Sequence, residues 1–229
     1  MNRLGYMHIP RCAGTALRLA VQHNFDPADV CELRHEGQFT DLEKIQGKSF
    51  YSAHVGFDVL ETLQCDVIFT VLRDPLERVV SIYNYHNGLK FRSGQAVPRN
   101  VDIAQRLRFT DWLNHRSPVI QMNTYNAMVY QIAGLRRHEA MFSDDAFAIL
   151  EQAKSNLDRC IVGFVDQMDT MVDRLKQVGL DVPLKEVNQS IKSKNWIDIK
   201  DLSHTDWQIA GSKLALDYRL YEYALRKFY

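Results

Sequence analysis

A short apolar segment that runs directly into a turn of small residues and then a helical pattern restricts the fold of this chain most. Residues Leu4–Ile9 predict a β-strand, Pro10–Leu17 predict a tight turn entering a helix, and the helical pattern continues through Val21. The first turn of a helix has four unpaired N–H groups and a partial positive charge. A strand, a turn and a helix N-terminus in this order therefore predict an anion site in an α/β fold.

The turn itself carries groups that suit a phosphate or sulfate. Ala13 and Gly14 let an anion approach the backbone, Thr15 adds a hydroxyl, and Arg11 adds a cationic fork. The pattern is not that of the Walker A P-loop, because no Lys follows Gly14 and the cation precedes the turn. Taken alone, the segment is equally compatible with an ordinary strand-to-helix connection.

A second junction of the same kind lies about sixty residues later. The β-rich apolar run Val67–Leu72 predicts a buried strand, and Asp74 and Pro75 are typical of the cap and first position of a following helix. Arg73 therefore stands at the carboxyl end of a strand, where open α/β sheets bind ligands. Ser81, two turns into the helix, can reach toward the same anion.

Both residues also have plain structural interpretations. Arg73 can form a surface ion pair with Asp74 or Glu77, which also completes a capping-box pattern with Asp74. Ser81 can be a small residue at a contact between helix and sheet.

With both junctions in view, the chain resembles the sulfotransferase family. The stretch His8–Thr15 resembles the family's 5′-phosphosulfate loop, and Leu72–Tyr83 resembles its 3′-phosphate motif. The likeness is to the membrane-bound carbohydrate sulfotransferases and their small soluble bacterial relatives. Weaker similarity continues at Ile161–Asp166, Val187–Ser190 and Asp217–Tyr221.

The resemblance implies transfer of a sulfuryl group from 3′-phosphoadenosine-5′-phosphosulfate (PAPS) to a hydroxyl acceptor, without a metal. It implies a P-loop-like three-layer α/β sandwich with a central, mostly parallel sheet flanked by helices, and a single domain over residues 1–229. The 3′-phosphate would be held by Arg73 and Ser81, and Lys194 would contact phosphate from a loop that closes over the nucleotide. The residues that would hold the 5′-phosphosulfate are Arg11, Cys12, Ala13, Gly14, Thr15 and Ala16.

Two residues are predicted to carry the chemistry. The family has a Lys near the bridging oxygen, and Arg11 stands at that place here. The segment Tyr51–Phe57 resembles the one that bears the family's catalytic His, so His54 is the expected general base. A structural histidine is the alternative for His54.

Composition and charge indicate the size of the domain and the class of protein in which such a site would lie. The chain has 229 residues, of which 46% are hydrophobic, which is enough for one sizeable core. Its 28 basic and 28 acidic residues balance, so it is not built to coat nucleic acid. The first strand begins almost at once, and the longest uncharged stretch, Ser117–Leu135, holds four amide side chains, so neither a signal peptide nor a membrane span is expected. The four cysteines show no pairing or metal-ligand spacing, which favours reduced thiols in the cytoplasm.

The rest of the chain predicts further elements. Strands are expected at Ser49–Val55 and Cys160–Val165, whereas Phe25–Gly47 is polar and rich in loops. Single helices are expected at Ile103–Leu113, at Met122–Leu135 and from Ser203 or Thr205 to the C-terminal region.

The segment at about residues 88–116 carries six Lys or Arg residues against two Asp residues. It is predicted to form an acceptor-binding rim for an acidic substrate such as an anionic glycan, and a solvated helix face is the alternative. Two other functions stay open: a kinase of the P-loop class, and a non-catalytic protein that binds a nucleotide or a glycan.

Overall fold

A parallel β-sheet forms the centre of the computed structural model, which describes residues 3–33, 45–135, 145–183 and 196–229. Within these residues the sheet has five strands in the order β2-β3-β1-β4-β5, and every pairing is parallel. The strands are Leu4–Met7 (β1), Val30–Leu33 (β2), Phe50–Ala53 (β3), Val67–Leu72 (β4) and Cys160–Phe164 (β5).

Helices flank this sheet and account for most of the remaining described residues. Every residue of β1 and β3 is buried, as expected for parallel strands that are covered on both faces. The predicted α/β fold, with a central parallel sheet flanked by helices, is therefore confirmed. The helices are α1 Gly14–Gln22, α2 Phe57–Thr62, α3 Pro75–Gly88, α4 Arg99–Arg106, α5 Phe109–Leu113, α6 Pro118–Thr124, α7 Ala127–Ile132, α8 Ala146–Leu157, α9 Met168–Gln177, α10 His204–Lys213 and α11 Ala215–Phe228.

The strand order places both predicted junctions side by side at the carboxyl ends of the strands. β1 is the central strand and pairs with β3 on one side and with β4 on the other. The chain leaves β1 into α1 and leaves β4 into α3, so the N-termini of these two helices lie at the carboxyl ends of neighbouring strands. The point where strand order reverses is where open α/β sheets bind ligands.

The sequence interpretation missed one strand. The region Phe25–Gly47 was expected to be loop-rich, yet Val30–Leu33 forms β2 at the edge of the sheet and pairs with β3 along its whole length. The strand is short and only Leu33 is buried, so it lacks the apolar run that marks β4. This segment is a strand because it pairs with β3, and its own sequence carries no strand pattern.

Three helices that were predicted as continuous are each broken. Leu107 and Arg108 adopt extended conformations that separate α4 from α5. Asn126 has a left-handed φ of 43° that separates α6 from α7, and Leu214 separates α10 from α11. These last two breaks face each other: the Asn126 N–H donates to the Lys213 carbonyl (3.1 Å), and its Oδ1 accepts from the Leu216 N–H (2.9 Å). Tertiary hydrogen bonds thus end helices that the local pattern would continue.

A buried ion pair joins α3 to the C-terminal helix. The Arg78 and Asp217 side chains are 1% and 0% exposed, and Nη2 of Arg78 lies 3.7 Å from Oδ2 of Asp217. Arg78 also donates to the Asn123 carbonyl (3.0 Å), and Oδ1 of Asp217 accepts from the Val129 N–H (2.9 Å). This network holds α3, α6, α7 and α11 together, and α3 is the helix that carries the second predicted phosphate motif.

Candidate functional site

A cavity of about 650 Å³ opens at the carboxyl ends of β1, β3 and β4. Its volume is within the range of nucleotide and cofactor sites. Eight of the residues singled out from the sequence line it, and residues from a segment just before α10 form a further wall. The predicted residues at the cavity are Arg11, Ala13, Gly14, Thr15, Ala16, His54, Arg73 and Ser81.

The turn between β1 and α1 leaves the start of the helix open. Arg11 and Ala13 have left-handed φ values of 69° and 55°, and Ala13 is the N-cap residue without a side-chain hydrogen bond to the helix. The first N–H group of the helix that donates to a carbonyl of the preceding turn is that of Leu17, which bonds the Ala13 carbonyl (3.3 Å). The N–H groups of residues 14–16 therefore have no acceptor within the helix, and all three residues line the cavity. This is the geometry of an anion cradle.

Cys12 behaves differently from the other residues of this turn. Its side chain is fully buried in the core and does not line the cavity, and burial raises the pKa of the thiol to about 12. Its N–H donates to the Ile9 carbonyl (3.3 Å). Cys12 therefore anchors the turn in the core. The predicted contact between Cys12 and the donor stays a prediction.

Gly14 is required by the packing of a histidine. A Cβ at position 14 would overlap the imidazole of His8. That ring cannot move aside easily, because it is stacked on Tyr6 (centroids 5.2 Å apart, planes at 8°) and lies 4.2 Å from the ring of His54. Burial, helped by the nearby His54 and Arg18, lowers the pKa of His8 to about 2, so the ring is neutral at physiological pH.

A hydrogen bond connects the two predicted phosphate motifs. Nε of Arg11 donates to Oγ of Ser81 (3.1 Å), although the residues are 70 positions apart. The guanidinium carbon lies 4.6 Å from the ring centroid of Tyr85, in cation–π geometry. Burial lowers the pKa of Arg11, but guanidinium groups remain charged in proteins. Arg11 is therefore a fixed positive charge between the helix α1 cradle and α3.

The contacts of His54 define its tautomer. Nδ1 lies 2.8 Å from the carbonyl oxygen of His8, which can only accept, so Nδ1 carries the proton. In the neutral ring the lone pair is then on Nε2. The buried Gln131 donates to the same His8 carbonyl (3.1 Å) and to the Val55 carbonyl (3.0 Å), so it holds both the acceptor of the His54 bond and the residue that follows His54. Sequence reasoning missed Gln131, and its only signal was an amide within a long uncharged stretch.

Arg73 and Asp74 divide the roles at the second junction. The Asp74 carboxylate accepts from the N–H groups of Leu76 and Glu77, both at 2.9 Å, which confirms the predicted N-cap. Burial raises the pKa of Asp74, and those backbone bonds oppose the rise. Glu77 does not close the capping box through the described contacts but pairs with Arg73, whose Nε lies 3.2 Å from Oε2. Arg73 thus forms the predicted ion pair while its side chain lines the cavity.

A short segment before α10 completes the cavity wall. Trp196–Ile199 lies against α3, where the buried amide of Asn84 donates to the Ile197 carbonyl (2.8 Å) and accepts from the Ile197 N–H (3.0 Å). Trp196 and Ile197 also line a neighbouring cavity of about 390 Å³ together with Arg106 and Arg108, which belong to the predicted basic rim. The predicted phosphate ligand Lys194 lies outside the described residues.

The described residues contain neither a membrane-spanning helix nor a cluster of metal-ligating side chains. Over residues 3–33, 45–135, 145–183 and 196–229, no helix combines the length and the apolar character needed to cross a bilayer. The same ranges hold no group of three or more His, Cys, Asp or Glu side chains arranged to ligate a metal.

Comparison with known proteins finds similarity among solved structures. No protein-family model matches the chain, and no curated protein matches it. Among solved structures, the chain is similar to the mouse sulfotransferase SULT7A1 complexed with PAP, with 13% sequence identity and a TM-score of 0.47. The match covers 97% of this chain and 89% of that one.

Proposed function

We propose that this protein transfers a sulfuryl group from PAPS to a hydroxyl group of an acceptor. The observation that carries the proposal is the convergence of both phosphate motifs and His54 on one cavity of about 650 Å³, with Arg11 hydrogen-bonded to Ser81 across it. A donor with phosphate groups at both ends needs two anion sites at a fixed separation. The two junctions at neighbouring strand ends meet that need.

The open start of α1 is the proposed site for the 5′-phosphosulfate. Its three N–H groups at residues 14–16 and the helix dipole favour a tetrahedral anion, and the Thr15 hydroxyl adds a donor. Arg73 and Ser81 are proposed to hold the 3′-phosphate. The described ion pair uses only Nε of Arg73, and a guanidinium has five N–H donors, so Arg73 can bind Glu77 and phosphate together.

Arg11 is proposed to stabilise the leaving group. During transfer, the acceptor oxygen bonds to sulfur while the bond from sulfur to the bridging phosphate oxygen breaks, so negative charge grows on that oxygen. A preorganised cation in a partly dry site is well suited to that charge. Arg11 is preorganised by Ser81 and Tyr85, and because it stays charged it acts by electrostatics and not by proton donation.

His54 is proposed to accept the proton that the acceptor hydroxyl loses. Its Nδ1–H bond to the His8 carbonyl leaves the lone pair on Nε2, and the same bond stabilises the imidazolium that forms. The acceptor is proposed to enter over the basic segment at about residues 88–116, whose six cations against two anions suit an anionic glycan. Four unpaired cysteines in the described chain fit a reducing compartment such as the cytoplasm.

A transfer assay with labelled PAPS and a mixed panel of hydroxyl acceptors tests this function. We expect His54→Ala to lower the rate about 100- to 10,000-fold, the usual worth of a general base, with little change in donor affinity. The exposed His204, at the start of α10, supplies the matched control, since His204→Ala should leave the rate unchanged.

Nucleotide binding separates this function from its alternatives. We expect adenosine 3′,5′-bisphosphate to bind and to compete with PAPS, and ATP to bind far more weakly. Binding of ATP alone would exclude the sulfotransferase and favour the kinase. Bisphosphate binding without transfer to any acceptor, in the wild type and in Arg11→Lys, would favour a non-catalytic binding protein.

A further inference from the structure

A single buried amide holds one wall of the cavity in place. Asn84 is 3% exposed, and both atoms of its side-chain amide are used on one residue of the chain: Nδ2 donates to the Ile197 carbonyl and Oδ1 accepts from the Ile197 N–H. The amide thus pairs with Ile197 as a neighbouring β-strand would. The two partners are 113 residues apart in the chain.

An apolar side chain would be the simpler choice at this place. Asn is a weak helix former, and a buried amide stabilises little unless its hydrogen bonds are complete. Here Asn84 lies within α3, between Ser81 and the end of the helix, and its flanking residue Tyr85 stacks on Arg11. The amide therefore sits next to the groups proposed to bind the donor.

The clamped segment faces the cavity on its other side. Trp196 and Ile197 line the cavity, and Ile197 packs against the apolar cluster around α3 and α10. Because the Asn84 amide bonds both the N–H and the carbonyl of Ile197, it fixes the position and the direction of the segment at this residue. Because Trp196 is the neighbour of Ile197 in the chain, fixing Ile197 restricts where the backbone of Trp196 lies.

We propose that Asn84 is a positioning residue for donor binding. By fixing Ile197, it presents Trp196 as a wall against the adenosine part of a doubly phosphorylated nucleotide. The inference rests on the proposed function, because it names the nucleotide of that function as the ligand.

The same helix offers a matched control. Asn87 is also a partly buried Asn of α3, and its Nδ2 donates to the Tyr83 and Ala104 carbonyls (3.2 and 3.1 Å). It does not line the cavity. Replacing either Asn by Ala removes backbone-directed hydrogen bonds from α3, so both variants are expected to lose stability, but only Asn84 reaches the wall of the cavity.

Calorimetric titration with adenosine 3′,5′-bisphosphate tests the proposal, with chemical denaturation run in parallel. We expect Asn84→Ala to weaken binding about tenfold or more, as the loss of two hydrogen bonds predicts, and Asn87→Ala to change it less than about twofold. Trp196→Ala should also weaken binding about tenfold. Since Asn84 acts through Trp196, the double variant should be no more than about threefold weaker than Trp196→Ala alone.

Several results would overturn the proposal. These are a folded Asn84→Ala variant with wild-type affinity, an equal loss in Asn87→Ala, or losses that multiply in the double variant. If Asn84→Ala does not fold, Asn84→Asp keeps the size and the acceptor but loses the donor, and wild-type affinity in that variant overturns the proposal equally. A wild-type protein that binds no bisphosphate would instead overturn the proposed function, and the inference with it.

Discussion

The two strand-to-helix junctions at the cavity use the first turn of their helices in opposite ways. At the start of α1, the N-cap residue Ala13 makes no side-chain hydrogen bond to the helix. At the start of α3, the carboxylate of Asp74 accepts from the N–H groups of Leu76 and Glu77. One helix therefore presents its backbone N–H groups and dipole to the cavity, whereas the other satisfies them with its own chain.

The anion sites proposed at the two junctions therefore differ in kind, although the topology of the junctions is similar. At the α1 junction, the proposed anion site is formed by backbone N–H groups, so it does not depend on the chemistry of any one side chain that faces the cavity. At the capped α3 junction, the proposed 3′-phosphate site consists of the side chains of Arg73 and Ser81, which substitutions alter one at a time. The proposed preference for a 3′-phosphate thus depends on α3, and the general affinity for anions depends on α1.

The largest expected effect comes from filling the open junction. Gly14→Ala places a methyl group into the His8 ring, so we expect the free energy of unfolding to fall by about 3 kcal/mol and bisphosphate binding to be lost. Gly211→Ala in α10 is the control, since a Cβ there meets no atom within 4 Å and should not destabilise. Urea denaturation measures both. Full stability in Gly14→Ala would contradict the packing described for His8.

The next largest effect tests whether α3 binds the 3′-phosphate end of the donor. Arg73→Gln removes a charged donor, so affinity for adenosine 3′,5′-bisphosphate should fall about 10- to 100-fold. Affinity for adenosine 5′-phosphosulfate, which lacks the 3′-phosphate, should change less than about threefold in the same variant. Calorimetry with the two ligands measures the difference. Equal losses for both ligands would place Arg73 at the wrong end of the donor.

Acid should lower the free energy of unfolding through His8, whose ring packs against Gly14 at the α1 junction. His8 is neutral in the folded protein, with its pKa lowered to about 2, whereas in the unfolded chain it gains a proton below about pH 6.5. The unfolded state then binds more protons, so stability falls as the pH drops from about 6.5. Between pH 7 and pH 5, the contribution of His8 is about 2 kcal/mol.

The His8→Gln variant isolates this contribution. His86, whose pKa burial lowers to about 4, gives a similar slope in both proteins, so it cancels in the difference. Denaturation curves at several pH values should therefore be flatter for His8→Gln than for the wild type. Parallel curves would mean that His8 is not held neutral beside Gly14.

The smallest expected effect concerns the cap of α3. Asp74→Ala leaves two N–H groups without their acceptor, so unfolding should become easier by about 1 kcal/mol. Bisphosphate affinity should stay within about twofold, because the α3 site is proposed to use side chains. An affinity loss as large as that of Arg73→Gln would remove the distinction between the two junctions.

Both junctions were predictable because their signals are local. A buried strand, a small-residue turn and a helix pattern follow each other in Leu4–Val21, and Asp74 with Pro75 is a start signal that needs no tertiary context. Parallel strands then bring both junctions to one edge of the sheet. The main layout of the fold and the location of the candidate site follow from these two stretches.

The remaining features depend on contacts between distant residues. Asn126 breaks the predicted helix Met122–Leu135 because its N–H and its amide oxygen pair with the α10–α11 connection, which no local pattern records. Gln131 and Asn84 escaped sequence reasoning for the same reason: each amide pairs with carbonyl groups far away in the chain. Even the bond from Arg11 to Ser81 was not foreseen, although both residues were singled out.

The ion pair of Arg78 and Asp217 also sets an order of events during synthesis. Arg78 lies inside α3 with its charge shielded from water, and its counter-charge arrives only with the C-terminal helix. A buried charge without its partner destabilises a protein by about 3–5 kcal/mol. A nascent chain that has emerged only through β5 therefore contains both junctions, but α3 cannot pack stably because Asp217 is still missing. Ligand binding by ribosome-bound chains should accordingly begin only after residue 217 has left the exit tunnel.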